Sequence, residues 1–577
     1  MSGASTLELP VSLFDGLRRT IRDHPELGIQ LIDNRGRPAG RRSFGEQVEA
    51  ARSMARRYRA LGIAPGDRVL VSLGTSWEWL DAWFGALWAG ALPVAIAPPG
   101  ALGSPAAQIE KTLRVAHRVG ARVLVCTDAV LREAERALAG GLAERALEGP
   151  LATELVEIGR LLATPPGPPV PEPDAAPEDV AFLQLTSGST GLPRAVQISH
   201  GSAVHNPIAI TSKIIEVHDR RPVGAMVCWL PLYHDMGLIG CVINAMVNGI
   251  PLELLNPRSF LARPWIWLER AAAWPDVMSP APNFGYQLCC ERAAGRIPAD
   301  LDLSGFRDAM TGSEMVRPET CELFLETFRP HGFRRSQLRA CYGLAEATLA
   351  VTVDSQLEGA RTRPVPAGAE VLLAGSAAGL AEVVSNGTPI PDTRVEIRDP
   401  AGRPQPAGRI GELWIAGPGL MSGYDRDPAA TAETLQDGWL DSGDLGFLDE
   451  AGELYLVGRS KEILILRGQN LMPHELEWVA DGICGTGGTS RAAAFSVPGA
   501  DGERAVMVLE SEAGDAETLE RLRREVAGAI GRTLAIPLAD LVLVRRGTIP
   551  RTSSGKLQRS ALRESYLRGE VARLDDP

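Results

Sequence analysis

The sequence Thr186-Ser-Gly-Ser-Thr-Gly-Leu-Pro-Arg194 lies between two short apolar runs, Ala181–Leu185 and Ala195–Ile198, and this arrangement decides the fold. The runs predict buried strands, joined by a loop of glycine and small hydroxyl residues. Such a loop can surround a phosphate, because its backbone N–H groups point inward and its hydroxyls add donors. It is not a Walker A loop, since the sequence contains no GxxxxGK[ST]. The alternative interpretation is a surface turn.

The sequence before this loop predicts repeated β-α-β units. A strand is predicted at Val69–Leu73, then a helix that begins with the capping-box pattern Thr75-Ser-Trp-Glu78, then a strand at Ala91–Ala97. Arg122–Cys126 and the helical stretch after it predict the next unit, and Ser43-Phe-Gly-Glu46 is another capping box. Repeated units of this kind imply an α/β fold, with a parallel sheet that carries helices on both faces.

The pattern changes after Arg459, where short strand-like runs alternate with helical stretches near His474–Ala480 and Glu517–Leu534. A chain of 577 residues also exceeds the roughly 250–300 residues that one hydrophobic core usually holds. We therefore predict a large domain over residues 1–458, a hinge at residues 459–461 and a small α+β domain over residues 462–577.

Composition excludes several classes of protein. The net charge of −12 argues against a general nucleic-acid binder. The eight cysteines include no CxxC pair, which predicts a reduced, cytoplasmic protein without a zinc cluster. The apolar stretch Leu238–Leu255 is interrupted by Asn244, Asn248 and Pro251, so it predicts a buried helix leading into a strand rather than a transmembrane span. The first residues show no signal-peptide pattern, and we expect none.

Five motifs, in the same order, resemble those of the adenylate-forming enzymes, a superfamily of acyl-CoA synthetases, peptide-synthetase adenylation domains and luciferases. They are Thr186–Arg194, Tyr342-Gly-Leu-Ala-Glu346, Trp439-Leu-Asp-Ser-Gly-Asp444, Gly458-Arg-Ser-Lys461 and Pro550-Arg-Thr-Ser-Ser-Gly-Lys556. The resemblance covers the chain from about Leu9 to Arg568. It implies ATP and Mg²⁺ as cofactors, a large domain of parallel sheets sandwiched by helices, and a small mobile C-terminal domain.

The resemblance also implies a role for individual residues. Lys556 would bridge the substrate carboxylate and the α-phosphate, where charge develops during the reaction. Glu346 would hold Mg²⁺ together with Thr190, and Asp444 would accept hydrogen bonds from the ribose. Lys461 would be the hinge. The other nucleotide-binding residues would be Thr186, Ser187, Gly188, Ser189, Gly191, Arg194, Gly312, Ser313, Glu314, Cys341, Tyr342, Gly343 and Arg459.

Each of these residues has a plainer interpretation when it is taken alone. Asp444 could be a turn residue, Glu346 an acid at a helix N-terminus, and Lys556 part of a solvated tail. The phosphate loop also departs from the usual pattern, because Pro193-Arg194-Ala195 replaces Pro-Lys-Gly. Arginine keeps the positive charge but spreads it over a fork, and it meets a phosphate differently from lysine. Ser442 stands where a threonine is usual. The key carboxylates and Lys556 are present, so we expect an active enzyme.

Further motifs resemble the fatty acyl-AMP ligases, which load acyl groups onto acyl carrier proteins. These are Trp229-Leu-Pro-Leu-Tyr-His-Asp-Met-Gly-Leu238, Asn283-Phe-Gly-Tyr286, Gly312-Ser-Glu-Met-Val-Arg317 and Ala345-Glu-Ala-Thr-Leu349. The resemblance implies that His234 lies at the mouth of the acyl pocket, near the reacting carboxylate. The alternative for His234 is a packed histidine paired with Asp235. The segment between Glu346 and Gly387 is also long, and its excess, near residues 355–381, matches an insertion thought to disfavour the domain rotation that transfer to CoA needs.

We therefore expect an enzyme that converts a fatty or related carboxylic acid to acyl-AMP and then transfers the acyl group to an acyl carrier protein supplied in trans. Transfer to free CoA and a non-catalytic nucleotide-binding relative are the alternatives. A cluster of basic residues near the C-terminus could dock the carrier protein, or it could be a solvated helix face. Its members are Arg545, Arg546, Arg551, Lys556, Arg559, Arg563 and Arg568.

Overall fold

The structure is a computed structural model. It describes residues 10–99, 105–142, 147, 150–186, 192–219, 221–293, 295–354, 359, 361–364, 382–466, 469–484, 491–499, 502–512, 515–534, 536–552 and 555–574. Within these ranges the fold is α/β, as predicted, with mixed sheets flanked by helices and a smaller C-terminal unit. Most of the predicted insertion near residues 355–381 lies outside the described residues, as does the centre of the phosphate loop, residues 187–191.

The strands are, in chain order, β1 Gly28–Ile32, β2 Pro38–Ser43, β3 Arg68–Ser72, β4 Leu92–Ala95, β5 Ala121–Cys126, β6 Glu154–Glu157, β7 Val180–Leu185, β8 Ala195–Ser199, β9 Ala225–Cys228, β10 Leu252–Leu255, β11 Val277–Pro282, β12 Asp308–Gly312, β13 Leu338–Gly343, β14 Ala350–Val353, β15 Thr362–Arg363, β16 Val383–Val384, β17 Thr388–Pro389, β18 Arg394–Arg398, β19 Gly411–Ala416, β20 Gly423–Tyr424, β21 Leu435–Gln436, β22 Trp439–Leu448, β23 Leu454–Arg459, β24 Leu464–Leu466, β25 Gln469–Leu471, β26 Ala492–Gly499, β27 Gly502–Ser511 and β28 Leu538–Arg545.

The α-helices are α1 Leu13–Asp23, α2 Phe44–Ala60, α3 Trp77–Trp88, α4 Pro105–Val119, α5 Asp128–Ala139, α6 Ile158–Ala163, α7 His200–Val217, α8 Asp235–Gly237, α9 Asn244–Asn248, α10 Pro257–Ala262, α11 Trp265–Ala272, α12 Asn283–Ala293, α13 Pro318–Phe328, α14 Pro428–Thr434, α15 Pro473–Cys484, α16 Ala516–Leu534 and α17 Arg559–Leu567. A π-helix, Leu238–Ile243, joins α8 to α9, and short 3₁₀ turns occupy Arg329–His331, Arg335–Gln337, Ala345–Ala347 and Ser460–Glu462.

Two large sheets carry the N-terminal part of the fold. Among the described residues, one has nine strands in the order β17-β14-β13-β12-β11-β9-β10-β1-β2, and the other has seven in the order β20-β8-β7-β4-β3-β5-β6. The central strands β9, β11, β12 and β13 run parallel to one another. Every residue of β11 and β12 is buried, as expected for parallel strands that are covered on both faces. Parallel neighbours end at the same edge of the sheet, and this edge positions the site described below.

Local sequence signals account for most helix starts. Ser43 and Glu46 form the predicted capping box at the start of α2. The capping box predicted for Thr75–Glu78 is wrong by one residue, because the hydroxyl of Ser76 accepts the hydrogen bond from the N–H of Trp79. The helix that begins at Trp77 buries Trp79, Leu80, Trp83 and Phe84 on its core faces, which favours this start.

The hydrophobic core is divided along the chain. The largest cluster of buried residues extends from Leu13 to Leu454, and two other clusters lie wholly in residues 464–562. A fourth cluster, which includes Tyr455, Val457 and Met472, spans the predicted boundary. The boundary at residues 459–461 therefore stays a prediction. In the part of the chain that the structure describes, we find no helix that is long and apolar enough to cross a membrane.

The predicted basic cluster is not a continuous surface. Arg559 lies inside the small C-terminal unit, where its guanidinium bonds to Glu477 Oε1 at 2.7 Å and to Glu462 Oε2 at 2.9 Å. Arg563 Nε donates to the carbonyl of Ser496 at 2.7 Å. The expectation that Arg559 docks a partner is wrong, because its guanidinium is paired within the domain, whereas Arg563 is half-buried and its docking role stays a prediction. Arg545 and Arg568 are exposed.

Candidate active site

The carboxyl ends of the parallel strands open into a large cavity. Strands β9, β11, β12 and β13 end in segments that supply wall residues to a cavity of about 1230 Å³. In open α/β sheets, ligands commonly bind in the crevice beyond these strand ends. The small C-terminal unit closes the other side. Residues from both parts of the chain line the cavity, among them His234, Glu314, Tyr342, Asp444, Arg459, Trp478 and Lys556.

Asp444 is the centre of a polar cluster in the cavity wall. The phenol of Tyr342 donates to its Oδ2 at 2.7 Å, and Arg459 Nε lies 3.0 Å from its Oδ1. The ladder between β22 and β23 aligns Asp444 with Arg459, so the backbone itself brings this pair together. Burial raises the pKa of Tyr342, and the Asp444 charge raises it further, so the phenol is a hydrogen-bond donor at neutral pH. A buried carboxylate held in this way can accept hydrogen bonds from a diol.

Glu346 forms a second polar cluster with Tyr424 and Arg194. The phenol of Tyr424 donates to Glu346 Oε1 at 2.9 Å, and the Arg194 guanidinium lies 5.0 Å from the centre of the Tyr424 ring. Burial raises the pKa of Glu346, and the hydrogen bond from Tyr424 opposes this shift. Tyr424 lies in β20, which pairs with β8 directly after the phosphate loop. Arg194 of the phosphate loop and Glu346, the carboxylate predicted to bind Mg²⁺, therefore both lie beside the ring of Tyr424.

Lys556 lies in a loop that holds its backbone in place. Its N–H donates to Thr552 Oγ1 at 3.1 Å, and its carbonyl accepts from the N–H of Thr552 at 2.8 Å. Lys556 lines both the cavity of about 1230 Å³ and a second, adjoining cavity of about 420 Å³. Burial lowers the pKa of Lys556, while the carboxylates of Asp235 and Glu314 oppose this shift. The nearby Arg459 lowers this pKa further, so the ammonium lies among both carboxylates and another cation.

His234 is paired with Asp235, which is one of the two interpretations that the sequence allowed. Its Nδ1 lies 2.7 Å from Asp235 Oδ1. Burial would raise the pKa of Asp235, but the charge and hydrogen bond of His234 outweigh burial, and the pKa falls to about 2. The pairing does not withdraw the histidine from the site, because His234 lines both cavities.

Two residues beside these clusters have unusual backbone angles. Ser313 has φ +71° and Thr348 has φ +66°, a region that is rare for residues other than glycine and rarest for β-branched ones. Thr348 is held by a hydrogen bond of 2.7 Å from its hydroxyl to the carbonyl of Gly419. Ser313 is followed by Glu314, whose Oε1 accepts from the N–H of Phe284 at 2.7 Å. Strained backbone of this kind is concentrated at functional sites.

A second cavity of about 420 Å³ adjoins the first. Residues shared by both walls include His234, Tyr342, Arg459 and Lys556. Its wall includes a polar group, Thr186, Arg194, Asp235 and Glu346. A largely apolar group, named the apolar end, includes Ile210, Gly240, Met278, Pro280, Met310, Leu349 and Ala350.

The two cavities bring together nearly all of the predicted site residues that the structure describes. The first is lined by Ser313, Glu314, Cys341, Tyr342, Gly343, Asp444, Arg459, His234 and Lys556, and the second adds Thr186, Arg194, Glu346 and Lys461. Gly312 is in neither wall; it ends β12, and a Cβ there would lie 2.6 Å from the carbonyl oxygen of Cys341. Ser187, Gly188, Ser189, Thr190 and Gly191 lie outside the described residues. The roles themselves stay predictions.

Several residues at the site were not predicted from the sequence. Tyr424 is 78 residues from its partner Glu346, and no local pattern marked it. Arg317 belongs to a quoted motif, yet its partner Asp481 is 164 residues away in the C-terminal unit. Lys111, on α4, lines the second cavity, and burial lowers its pKa. Its position on a helix of the β-α-β unit gave no signal of this.

Comparison with known proteins fits this geometry. A family model described as an AMP-binding enzyme matches residues 18–425, which is well over half of the 577-residue chain. The chain belongs to the AMP-binding enzyme family. As a member of this family it is an acyl-AMP-forming ligase that uses ATP, which confirms the prediction from the motifs.

Three relatives of this AMP-binding enzyme were compared over nearly their whole length. A Caulobacter vibrioides protein provisionally named acyl-CoA synthetase is 34% identical over 551 residues, which cover 94% of this chain and 93% of that protein. The 4-hydroxyphenylalkanoate adenylyltransferase of Mycobacterium marinum is 33% identical and covers 98% and 92%. The medium-chain-fatty-acid–[acyl-carrier-protein] ligase JamA of Moorena producens is 32% identical and covers 92% and 90%.

A solved structure from a study of fatty acyl-adenylate ligases from E. coli and L. pneumophila has the same fold. It aligns with a TM-score of 0.87 and 30% identity, covering 97% of this chain and 98% of that chain. The predicted resemblance of this AMP-binding enzyme to fatty acyl-AMP ligases is thereby confirmed, as is the fold class.

Proposed function

We propose that the enzyme activates a fatty or related carboxylic acid with ATP and passes the acyl group to the phosphopantetheine thiol of an acyl carrier protein. In the first step a carboxylate oxygen attacks the α-phosphorus of ATP, and the bond to pyrophosphate breaks to leave acyl-AMP. In the second step the thiol sulfur attacks the acyl carbon and loses its proton, AMP leaves with the electron pair of the broken bond, and a thioester forms.

One observation carries this proposal: Lys556 of the C-terminal unit lines the same cavity as Asp444, Arg459 and His234 of the strand-end site. A fixed cation at that place stabilises the charge that develops when the carboxylate attacks phosphorus. Asp444 and Tyr342 would orient the ribose, and the strained segment at Ser313 would receive the adenine. The apolar end of the second cavity, beyond His234, would receive the acyl chain.

Glu346 is the residue proposed to bind Mg²⁺. Its carboxylate offers the oxygen ligands that Mg²⁺ prefers, and the Tyr424 phenol orients it. Among the described residues, no group of three or more His, Cys, Asp and Glu could hold a metal without help. Mg²⁺ is commonly held by one or two carboxylates together with substrate phosphates, so this donor set fits an ion bound together with ATP. When bound, the ion would neutralise charge on the triphosphate. Thr190, the other proposed ligand, lies outside the described residues.

The choice of acceptor rests on different support. The JamA relative is named as a ligase for an acyl carrier protein, and the long segment near residues 355–381 matches the insertion of the fatty acyl-AMP ligases. The Caulobacter vibrioides relative, however, is provisionally named for transfer to CoA. Free CoA is therefore the alternative acceptor, and experiment must decide between the two.

The test supplies the purified enzyme with MgATP and a panel of carboxylic acids, and detects acyl-AMP by mass spectrometry. Equal concentrations of CoA and of a phosphopantetheine-loaded carrier protein are then added. We expect carrier acylation to be at least tenfold faster than acyl-CoA formation, and apo-carrier protein, which lacks the thiol arm, to remain unmodified. Formation of acyl-CoA as fast as acyl carrier protein would contradict the proposed acceptor, and absence of acyl-AMP with every acid would contradict the proposed activation.

The carrier would meet the exposed part of the basic cluster. Arg545 and Arg546 are adjacent and exposed, and Arg546 lines the larger cavity. Their reversal to glutamate should slow transfer to a carrier with acidic helices, because complementary charge increases the rate of encounter. Acyl-AMP formation should change much less than transfer does, and added salt should reduce the difference in transfer rate. Reversal of Arg132, on α5 of the large domain, is the matched control.

A further inference from the structure

Asn244 is a polar residue in the apolar end of the second cavity. It begins α9 immediately after the π-helix Leu238–Ile243, and its side chain is 1% exposed. The cavity wall around it includes Ile210, Met278 and Met310. Helices of the π type are rare and are often found at functional sites. A buried amide in such a wall requires a physical account.

The oxygen of the Asn244 amide is satisfied within the fold. Its Oδ1 accepts from Thr211 Oγ1 at 2.9 Å and from Asn248 Nδ2 at 2.8 Å. Asn248 Nδ2 also donates to the carbonyl oxygens of Pro207 at 3.3 Å and of Asn244 itself at 3.2 Å. These two carbonyls accept only, so they fix the nitrogen end of the Asn248 amide.

The orientation of Asn248 in turn fixes the orientation of Asn244. The atom that faces a donating Nδ2 must be an acceptor, so Asn244 presents Oδ1 there and Nδ2 on the opposite side. In the described part of the chain, Asn244 Nδ2 is fully buried and has no hydrogen-bond partner. Buried amide donors are nearly always paired in native proteins, so an unpaired donor on a residue that lines a ligand cavity points to a group that a ligand could bring.

We propose that Asn244 Nδ2 donates a hydrogen bond to an oxygen atom on the acyl part of the substrate. The preferred acid then carries a hydroxyl or keto oxygen along its chain, in addition to the carboxylate, rather than being an unsubstituted alkyl acid. This proposal rests on the proposed function, because it takes the apolar end of the second cavity as the acyl site. Asn244 is thus a specificity-determining residue of that site.

The substrate series is the first test, and it needs no variant. Straight-chain acids of equal length, either unsubstituted or with one keto oxygen moved stepwise from carbon to carbon, are compared by kcat/KM for pyrophosphate release. We expect one keto position to exceed the unsubstituted acid by at least tenfold, because a site built to pair a substrate oxygen discriminates against analogues that lack it. Equal or lower kcat/KM for every keto acid would overturn the proposal, and would mean that a water molecule or nothing pairs the amide.

The variant Asn244→Leu is the second test. It keeps the size of the side chain and removes both the Nδ2 donor and the Oδ1 acceptor, so the ratio of kcat/KM for the preferred keto acid to that for the unsubstituted acid should fall by at least tenfold. Thr211→Val is the matched control. It removes a partner of Oδ1 and leaves the Nδ2 donor, so the keto preference should remain. Retention of the full keto preference in Asn244→Leu would overturn the assignment.

The outcomes separate this proposal from the one on which it rests. Acyl-AMP formation from unsubstituted acids without any keto preference contradicts only the role of Asn244. Absence of acyl-AMP with every acid in the series contradicts the proposed function and this inference together. Thermal unfolding of each variant identifies a loss of folding, and the substrate series on the parent enzyme tests the keto preference without any variant.

Discussion

Arg317 and Asp481 form an ion pair between distant parts of the chain, with Arg317 Nη2 donating to Asp481 Oδ2 at 2.8 Å. The guanidinium also lies 5.2 Å from the centre of the Trp478 ring. Asp481 and Trp478 belong to α15 of the C-terminal unit, whereas Arg317 follows the Ser313–Glu314 segment of the large domain by three residues. This pair therefore joins the C-terminal unit, which carries Lys556, to the segment that carries Ser313 and Glu314, and we expect it to help orient Lys556.

Asp481→Asn should weaken that orientation without touching the nucleotide. The neutral amide keeps the shape of the side chain and its oxygen can still accept, so only part of the roughly 1.5–3 kcal/mol of a charged hydrogen bond is lost, and we expect kcat for acyl-AMP formation to fall by about three- to tenfold. Affinity for ATP should change less than twofold. Glu322→Gln, which removes an exposed pair with Arg335, is the control and should leave kcat unchanged. An unaltered kcat in Asp481→Asn would show that the pair does not set the orientation.

Lys556→Met should abolish most of the adenylation rate. Loss of one preorganised donor typically costs about 10²–10³-fold in kcat, whereas ATP binding should survive, because Asp444 and Tyr342 are retained. Stopped-flow or pyrophosphate-release rates measure the first quantity, and a nucleotide titration measures the second. An adenylation rate of Lys556→Met within threefold of the parent rate would contradict the proposed catalytic role of Lys556.

The pH dependence of the rate offers an independent check on Lys556. Burial lowers the pKa of this lysine relative to a solvent-exposed one, and the protonated form is the useful one. On the alkaline side, the adenylation rate should therefore be retained below that lowered pKa and lost as pH rises through it. In Lys556→Arg the cation persists, so the alkaline loss should move to higher pH even though the maximal rate is reduced. If the rate fell at the same alkaline pH in the parent enzyme and in Lys556→Arg, the loss would belong to a group other than Lys556.

Asp444→Asn should weaken ATP binding by about tenfold or more, since charge-assisted hydrogen bonds are worth roughly 1.5–3 kcal/mol. Tyr342→Phe removes the phenol that bonds Asp444 Oδ2 at 2.7 Å, and a smaller loss is expected because the carboxylate itself remains. Calorimetric titration of ATP into both variants and the double mutant would reveal their coupling. Unchanged affinity in Asp444→Asn would contradict the ribose role.

Arg559→Met should destabilise the C-terminal unit. It removes the cation between Glu477 and Glu462, and breaking a buried ion pair from one side typically costs about 3–5 kcal/mol. Denaturant unfolding of the full chain should show an earlier transition in the variant. Arg568→Met, whose exposed side chain pairs with Glu570, should leave the transition in place. Coincident transitions in the two variants would mean that the Arg559 network contributes little.

The sequence predicted those parts of the site that are contiguous in the chain. The motifs at Tyr342–Glu346 and Asp444 each lie within a few residues, and the structure places these residues in the cavity walls, whereas residues 187–191 of the phosphate loop lie outside the described residues and their role stays a prediction. Contacts made by folding left no such pattern: Tyr424 reaches Glu346 from 78 residues away. The sequence also does not indicate which charged residues are buried, and the surface location expected for Arg559 is wrong for this reason. A basic residue in a helix has the same letter whether it faces solvent or two carboxylates.

The separate cores of the two parts of the chain also have a consequence for biosynthesis. Asp444 and its partners belong to the part of the chain that is translated first, and Lys556 follows 112 residues later. At roughly 5–20 residues per second, a ribosome adds that interval in about 6–22 s, and domains generally fold in the order of their synthesis. During that interval the nascent protein already contains the carboxylate that would bind nucleotide, and it still lacks the lysine that would turn nucleotide over. With these proposed roles, an unfinished chain would not spend ATP on acids that it has no means to pass on.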